Sequence, residues 1–165
     1  MTENWIIIEK DIQSHRDELI ERLVKFSLTD LLFFWSNEDK LKKLQSEKWG
    51  PVLIWLNNKL DTHFQKTYSL EPPKENESMR LKLKHYLTQY SDKQLSALYV
   101  AATNMRSVLL ATALVEKKIN AQKAFELSEL ESLYQIQKWG KDQDIETKMN
   151  ALKETLIGVE KYLKS

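Results

Sequence analysis

Imidazole can serve as metal ligand or general base, so the histidines are weighed first. His15, His63 and His85 stand far apart, and none has a partner at a ligand spacing such as HxxxH. His85 falls off the apolar stripe of its segment, which marks it as a solvated side chain. A phosphate-cradling loop needs clustered glycines, whereas Gly50, Gly140 and Gly158 are isolated. No serine sits in a nucleophile-elbow context, and no Glu-x-x-His pair suggests a di-metal helical site. The chain has no cysteine, which removes disulfides, thiolate catalysis and cysteine-ligated metal and fits a reducing compartment. The expectation is a non-enzymatic protein without cofactor or metal.

One carboxylate stands out. Glu131 has Leu127 four residues before it and Tyr134 three after, so it lies on the apolar stripe of its own segment. Gln135, one turn on, is its polar neighbour on that face. A buried carboxylate needs a partner or a shifted pKa. Two readings follow: an internal ion pair, with Arg106 as the candidate cation, or a partner-contacting anion beside exposed apolar surface. The rings are the second oddity: Trp35, Trp49, Trp55, Trp139, Phe33, Phe34 and Tyr134 are many for a helical chain of this size. Core packing accounts for most of them, although tryptophan and tyrosine also dominate binding hot spots.

An all-α frame has to position these groups. Three glycines and three prolines punctuate 165 residues, while a sandwich or barrel turns roughly every 8–12 residues. A hydrophobic fraction of 42% with 30% charged residues suits one packed domain. Net charge is +1, and the lysines Lys40, Lys42, Lys43 and Lys48 alternate with Glu38, Asp39 and Glu47. That is a solvated helix face, not the dominant basic face of a nucleic-acid binder. The apolar run at 5–8 is too short for a signal peptide or a membrane span. The longer run at 95–115 carries Asn104 and Arg106 mid-way, and a central arginine is costly in a bilayer.

Periodicity predicts a first helix over 11–26 and a capped turn at Thr29 or Asp30. Ser36 is read as the N-cap of a helix carrying Leu41, Leu44 and Trp49, broken by Gly50-Pro51, with Pro51 starting the next helix toward Leu60. Residues 61–76 connect two helical halves, because Pro72-Pro73 forbids regular helix. A helix follows over 77–90. Ser91 and Gln94 form a capping box that opens an apolar helix ending near Lys118. Its segment 95–115 is apolar on nearly every face and is placed at the centre. Asn120 caps a helix to Trp139, Gly140 is its αL terminator, and a last helix spans 144–163. The prediction is one domain of six or seven helices around that central helix.

Three segments carry a family resemblance. The first joins residues 27–35 (SLTDLLFFW) to Leu41-x-x-x-Gln45-x-x-x-Trp49-Gly50-Pro51-Val52-Leu53-Ile54-Trp55. The second is 106–114 (RSVLLATAL), and the third is 128–142 (SELESLYQIQKWGKD). Together they resemble the helical C-terminal domain of the alpha-subunit assembly chaperones of mitochondrial and alphaproteobacterial F(1)-ATPase, over about 11–163. The resemblance implies a chaperone that binds unassembled alpha subunit of ATP synthase and releases it into the alpha–beta catalytic head. It implies no cofactor, no nucleic acid and no membrane insertion, a monomer, and a cytoplasmic or mitochondrial-matrix setting. Glu131, Gln135, Trp139 and Gly140 match its signature; with Asp142 they are the expected partner-binding residues. Glu129 departs from it, standing where the family has arginine. The family's N-terminal β-rich domain is expected to be absent. Two readings of other classes compete: a small helical enzyme or ligand-binding domain with a convergent polar pocket, and a helical nucleic-acid module.

Overall fold

The apolar segment 95–115 does sit at the centre, but the chain breaks it into two helices. The structure is a computed structural model that describes residues 4–74 and 77–165. Glu75 and Asn76, the end of the expected connection, lie outside the described residues. The helices described are α1 (Trp5–Ser14), α2 (Arg16–Ser27), α3 (Asp39–Leu60), α4 (Glu77–Thr88), α5 (Asp92–Met105), α6 (Val108–Val115), α7 (Ala121–Ser128), α8 (Leu130–Trp139) and α9 (Gln143–Lys164), with a 3-10 turn at Leu31–Phe33. Nine helices among the described residues exceed the predicted six or seven. Three expected helices are each split, and two expected helices are one.

The fused pair is α3. Gly50-Pro51 does not break it, although proline denies the carbonyl four residues back its amide partner. Pro51 and Glu47 are both exposed, so that carbonyl is left to water. Trp49, Val52, Leu53, Leu56 and Leu60 hold the opposite face in the core. The N-cap is Glu38, not Ser36; Ser36 instead accepts from the Glu38 amide at 2.9 Å. Gln45, buried in mid-helix, accepts from the Ser36 amide at 2.8 Å and ties the incoming loop down.

The splits are at His15, Arg106 and Glu129. The capping box at Ser91 forms as predicted, with reciprocal bonds of 3.0 and 2.9 Å to Gln94. Helix α5 then ends at Arg106, whose backbone is left-handed (φ 61°). Ser107 caps α6 by accepting from the Leu110 amide at 2.9 Å. All eight residues of α6 are buried, which its all-round apolarity requires. Periodicity missed the break because apolar residues continue through it, from Ala101, Ala102 and Met105 of α5 into the wholly apolar face of α6.

A buried carboxylate locks this junction. Asp30, fully buried, accepts from the Leu32 amide (3.1 Å), the Ser107 hydroxyl (2.7 Å) and the Leu109 amide (3.0 Å). It therefore caps the 3-10 turn and at the same time faces the positive end of α6. The Leu31 amide adds a bond to the Arg106 carbonyl at 3.3 Å. Loss of water raises the Asp30 pKa to about 6, against the lowering pull of those donors.

Residues 62–74 strap across the 3-10 turn through a single β-bridge. Trp35 donates to the Thr67 carbonyl at 2.9 Å, and Thr67 to the Phe33 carbonyl at 2.6 Å. Trp5 stacks on Tyr162 at 4.0 Å, and Tyr162 donates to Glu9 at 2.7 Å. This fastens α1 to the end of α9. Burial and the Glu9 carboxylate push the Tyr162 hydroxyl up to about 12. No described helix is long and apolar enough to cross a membrane.

Candidate functional site

Helix α8 buries only Leu130. The bend at Glu129 swings it off the line of α7, and two side chains then pin it to the start of α3. The Tyr134 hydroxyl donates to Glu38, and Lys138 Nζ lies 3.5 Å from the same carboxylate. The Tyr134 hydroxyl, with Lys138 behind it, holds the Glu38 carboxyl below its usual range, while Glu38 raises the Tyr134 pKa. With Tyr134 and Lys138 turned to α3, the stripe Glu131, Gln135, Trp139 points elsewhere, one helical turn between each.

That stripe lines a cavity of about 470 Å³. Glu131, Ser132, Gln135, Ile136, Trp139 and Gly140 form one wall, Leu31, Trp49 and Ser128 lie deeper, and Ile145 and Arg106 come from α9 and from the α5–α6 junction. Trp49 is fixed there by its indole, which donates to the Leu127 carbonyl at 2.8 Å. The mouth is apolar: Trp139 is 76% exposed and Ile145 36%. The first two turns of α9 are almost wholly exposed, and Ile145 among them borders the opening.

Four of the five expected contact residues, Glu131, Gln135, Trp139 and Gly140, are thus brought to one cavity. Asp142 is not among its lining; it caps α9, accepting from the Ile145 amide at 2.8 Å. Gly140 does terminate α8 at positive φ, but with φ 84° and ψ 171° it is extended and not αL. That region is essentially glycine-only. Glu131 is exposed, and no ion pair joins it to Arg106 among the described residues. The internal ion-pair reading is therefore corrected: both charges border the cavity and face solvent. Leu31, Trp49 and Ile145 were not foreseen as neighbours of Glu131, since no local pattern links segments so far apart in the chain.

A larger pocket, about 710 Å³, lies between α2, the strap and α4, lined by Phe33, His63, Phe64, Pro72, Pro73 and Arg80 among others. None of the sequence-predicted site residues reaches it. Among the described residues no three His, Asp or Glu side chains gather as a metal set.

Comparison with known proteins falls on one family. The profile described as ATP12 chaperone protein matches residues 2–57, which include the SLTDLLFFW segment and the Gln45–Trp49–Trp55 run. A curated relative, the mitochondrial protein atp12 of Schizosaccharomyces pombe, is 24% identical over 139 residues, covering 80% of this chain and 48% of its own. The chain thus spans about half the length of that relative. Crystallised Atp12 from Paracoccus denitrificans superposes with a TM-score of 0.87 at 23% identity, over 93% of this chain and 66% of that one. A chaperone candidate from Agrobacterium tumefaciens gives 0.84 at 24%, over 93% and 58%. At these identities the two superpositions establish the fold alone. The ATP12 chaperone profile thus matches the first third of this chain, and the fold of nearly all of it is similar to that of crystallised Atp12.

Proposed function

We propose that the chain is a chaperone of F-type ATP synthase assembly that binds the unassembled alpha subunit and delivers it to the alpha–beta catalytic head. The observation that carries the reading is the half-open cavity of α8, where four residues of the expected signature share one solvent-facing wall. It is supported by the match to the ATP12 family. A chaperone must offer apolar surface to a partner and then let it go. Trp139 and Ile145 offer that surface, while Glu131 and Gln135 give it polarity and orientation. Gly140 shapes the end of the wall, and Asp142 sets the start of α9 beside it. On this reading the chain supplies the helical part of such a chaperone, acting as a monomer in a bacterial cytoplasm or a mitochondrial matrix.

The direct test is purification of the tagged protein from source cells with identification of what is bound. Recovery of the alpha subunit is expected; recovery of unrelated proteins alone would sink the reading. A residue-level test is Glu131→Lys. Glu131 is exposed and forms no described bond, so its charge reversal should move Tm by no more than about 2 °C. Suppression of alpha-subunit aggregation should fall by about tenfold or more, because the reversed charge opposes the group it must meet. Undiminished suppression would remove Glu131 from the site, and a collapsed Tm would return it to the core.

A further inference from the structure

Arg106 occupies a backbone position that favours glycine. It is the left-handed C-cap of α5, φ 61° and ψ 29°, where a side chain is strained and glycine is the ordinary solution. The strain is held from both sides: its carbonyl accepts from the Leu31 amide at 3.3 Å, and the next residue is clamped by the Ser107–Asp30 bond at 2.7 Å. The guanidinium gives nothing back to the fold. It is exposed, and no described residue bonds it or pairs with it. Asp61 and Lys117 share the left-handed backbone, but neither borders the α8 cavity, whereas Arg106 does. Strain of this kind, retained with no structural return, is characteristic of functional positions.

Resting on the proposed chaperone function, we infer that Arg106 is the cationic half of a two-charge socket whose second half is Glu131. The two groups border one cavity of about 470 Å³, are not paired with each other among the described residues, and lie beside the exposed Trp139 and Ile145. Charge complementarity defines the occupant. It is a segment of the partner protein with an acidic side chain for Arg106, a basic one for Glu131, and an apolar side chain to seat between Ile136, Trp139 and Ile145. Guanidinium and carboxylate geometry would fix the orientation of that segment, and the apolar contact would hold it. Because the Asp30 lock sits one residue away, the backbone that carries the guanidinium is held in place, which keeps the ordering cost of binding low.

The test compares Arg106→Gly, Arg106→Glu, Glu131→Lys and the swap Arg106→Glu with Glu131→Arg, each by thermal unfolding and by affinity for purified alpha subunit. Arg106→Gly suits the backbone, so it should hold Tm within about 3 °C of the wild type while weakening binding about tenfold. Arg106→Glu should weaken binding further. The swap should not recover it, because the charges of the occupant are fixed by the partner. Wild-type affinity in Arg106→Gly, alongside normal wild-type binding, would overturn this inference alone. Recovery of both binding and Tm by the swap would also overturn it, since the two residues would then be partners of each other. A wild-type protein that does not hold the alpha subunit would overturn the functional reading and this inference with it.

Discussion

Leu109→Asp should yield a protein that does not fold. Leu109 lies in the first turn of α6, fully buried, with every residue of its helix buried around it. A carboxylate there would be cut off from water. The Leu109 amide already donates to Asp30 Oδ2 at 3.0 Å, so the new side chain would share that corner with Asp30. Burying an unpaired polar or charged group costs several kcal/mol, comparable to the whole stability of about 5–15 kcal/mol for a domain. Far-UV circular dichroism and recovery in the soluble fraction measure the outcome. Leu109→Ala is the control: it leaves a cavity worth about 2–5 kcal/mol, so it should fold with Tm lowered by roughly 10 °C. A soluble, helical, cooperatively melting Leu109→Asp protein would show that α6 is not the core.

The second large effect is expected at Asp30, and it depends on pH. Asp30→Ala leaves the Leu32 amide, the Leu109 amide and the Ser107 hydroxyl without their buried acceptor. An orphaned buried donor costs about 1–3 kcal/mol, so a loss of about 3 kcal/mol or more is expected at neutral pH. Its folded pKa of about 6 lies above the ordinary 3.8. The folded state therefore holds the proton more tightly than the unfolded chain between those values. By linkage, the contribution of this group is fully present below the unfolded value and is lost as pH rises through about 6. Acidification from pH 7 to 5 should thus stabilise the wild type relative to Asp30→Ala, and the gap between their Tm values should widen. A gap that is constant or narrows toward pH 5 would mean that the donors outweigh desolvation and that Asp30 is ionised in the fold throughout. Because the same carboxylate clamps Ser107, the variant should also loosen the α5–α6 bend that carries Arg106.

Much of the frame was legible in the residues. Scarce glycine and proline excluded sheet architectures, the capping box at Ser91 and the apolar stripes placed the helices α4, α5 and α9, and unbroken apolarity put α6 at the centre. These are local properties: a cap needs only its own turn, and an amphipathic stripe states its own buried face. The bends at His15, Arg106 and Glu129 were not legible, because a helix apolar or amphipathic on both sides of a kink keeps its period through it. Pro51 was misread for the opposite reason. A local rule predicted a break, and the packing of Trp49, Val52, Leu53 and Leu56 overrode it.

The site divides along the same line. Spacing alone aligned Glu131, Gln135 and Trp139 on one stripe, since residues three and four apart share a helical face in any context. Which way that stripe faces was decided by tertiary contacts. Tyr134 and Lys138 dock on Glu38, turning Glu131 away from the core and toward Arg106, Leu31 and Ile145. The apolar neighbours of Glu131 in sequence made a buried ion pair a fair expectation, and only the packing of α8 against α3 shows the carboxylate exposed. A sequence states what a helix can bury; which partner occupies that face, and so what is left for another protein, is settled by segments far away in the chain.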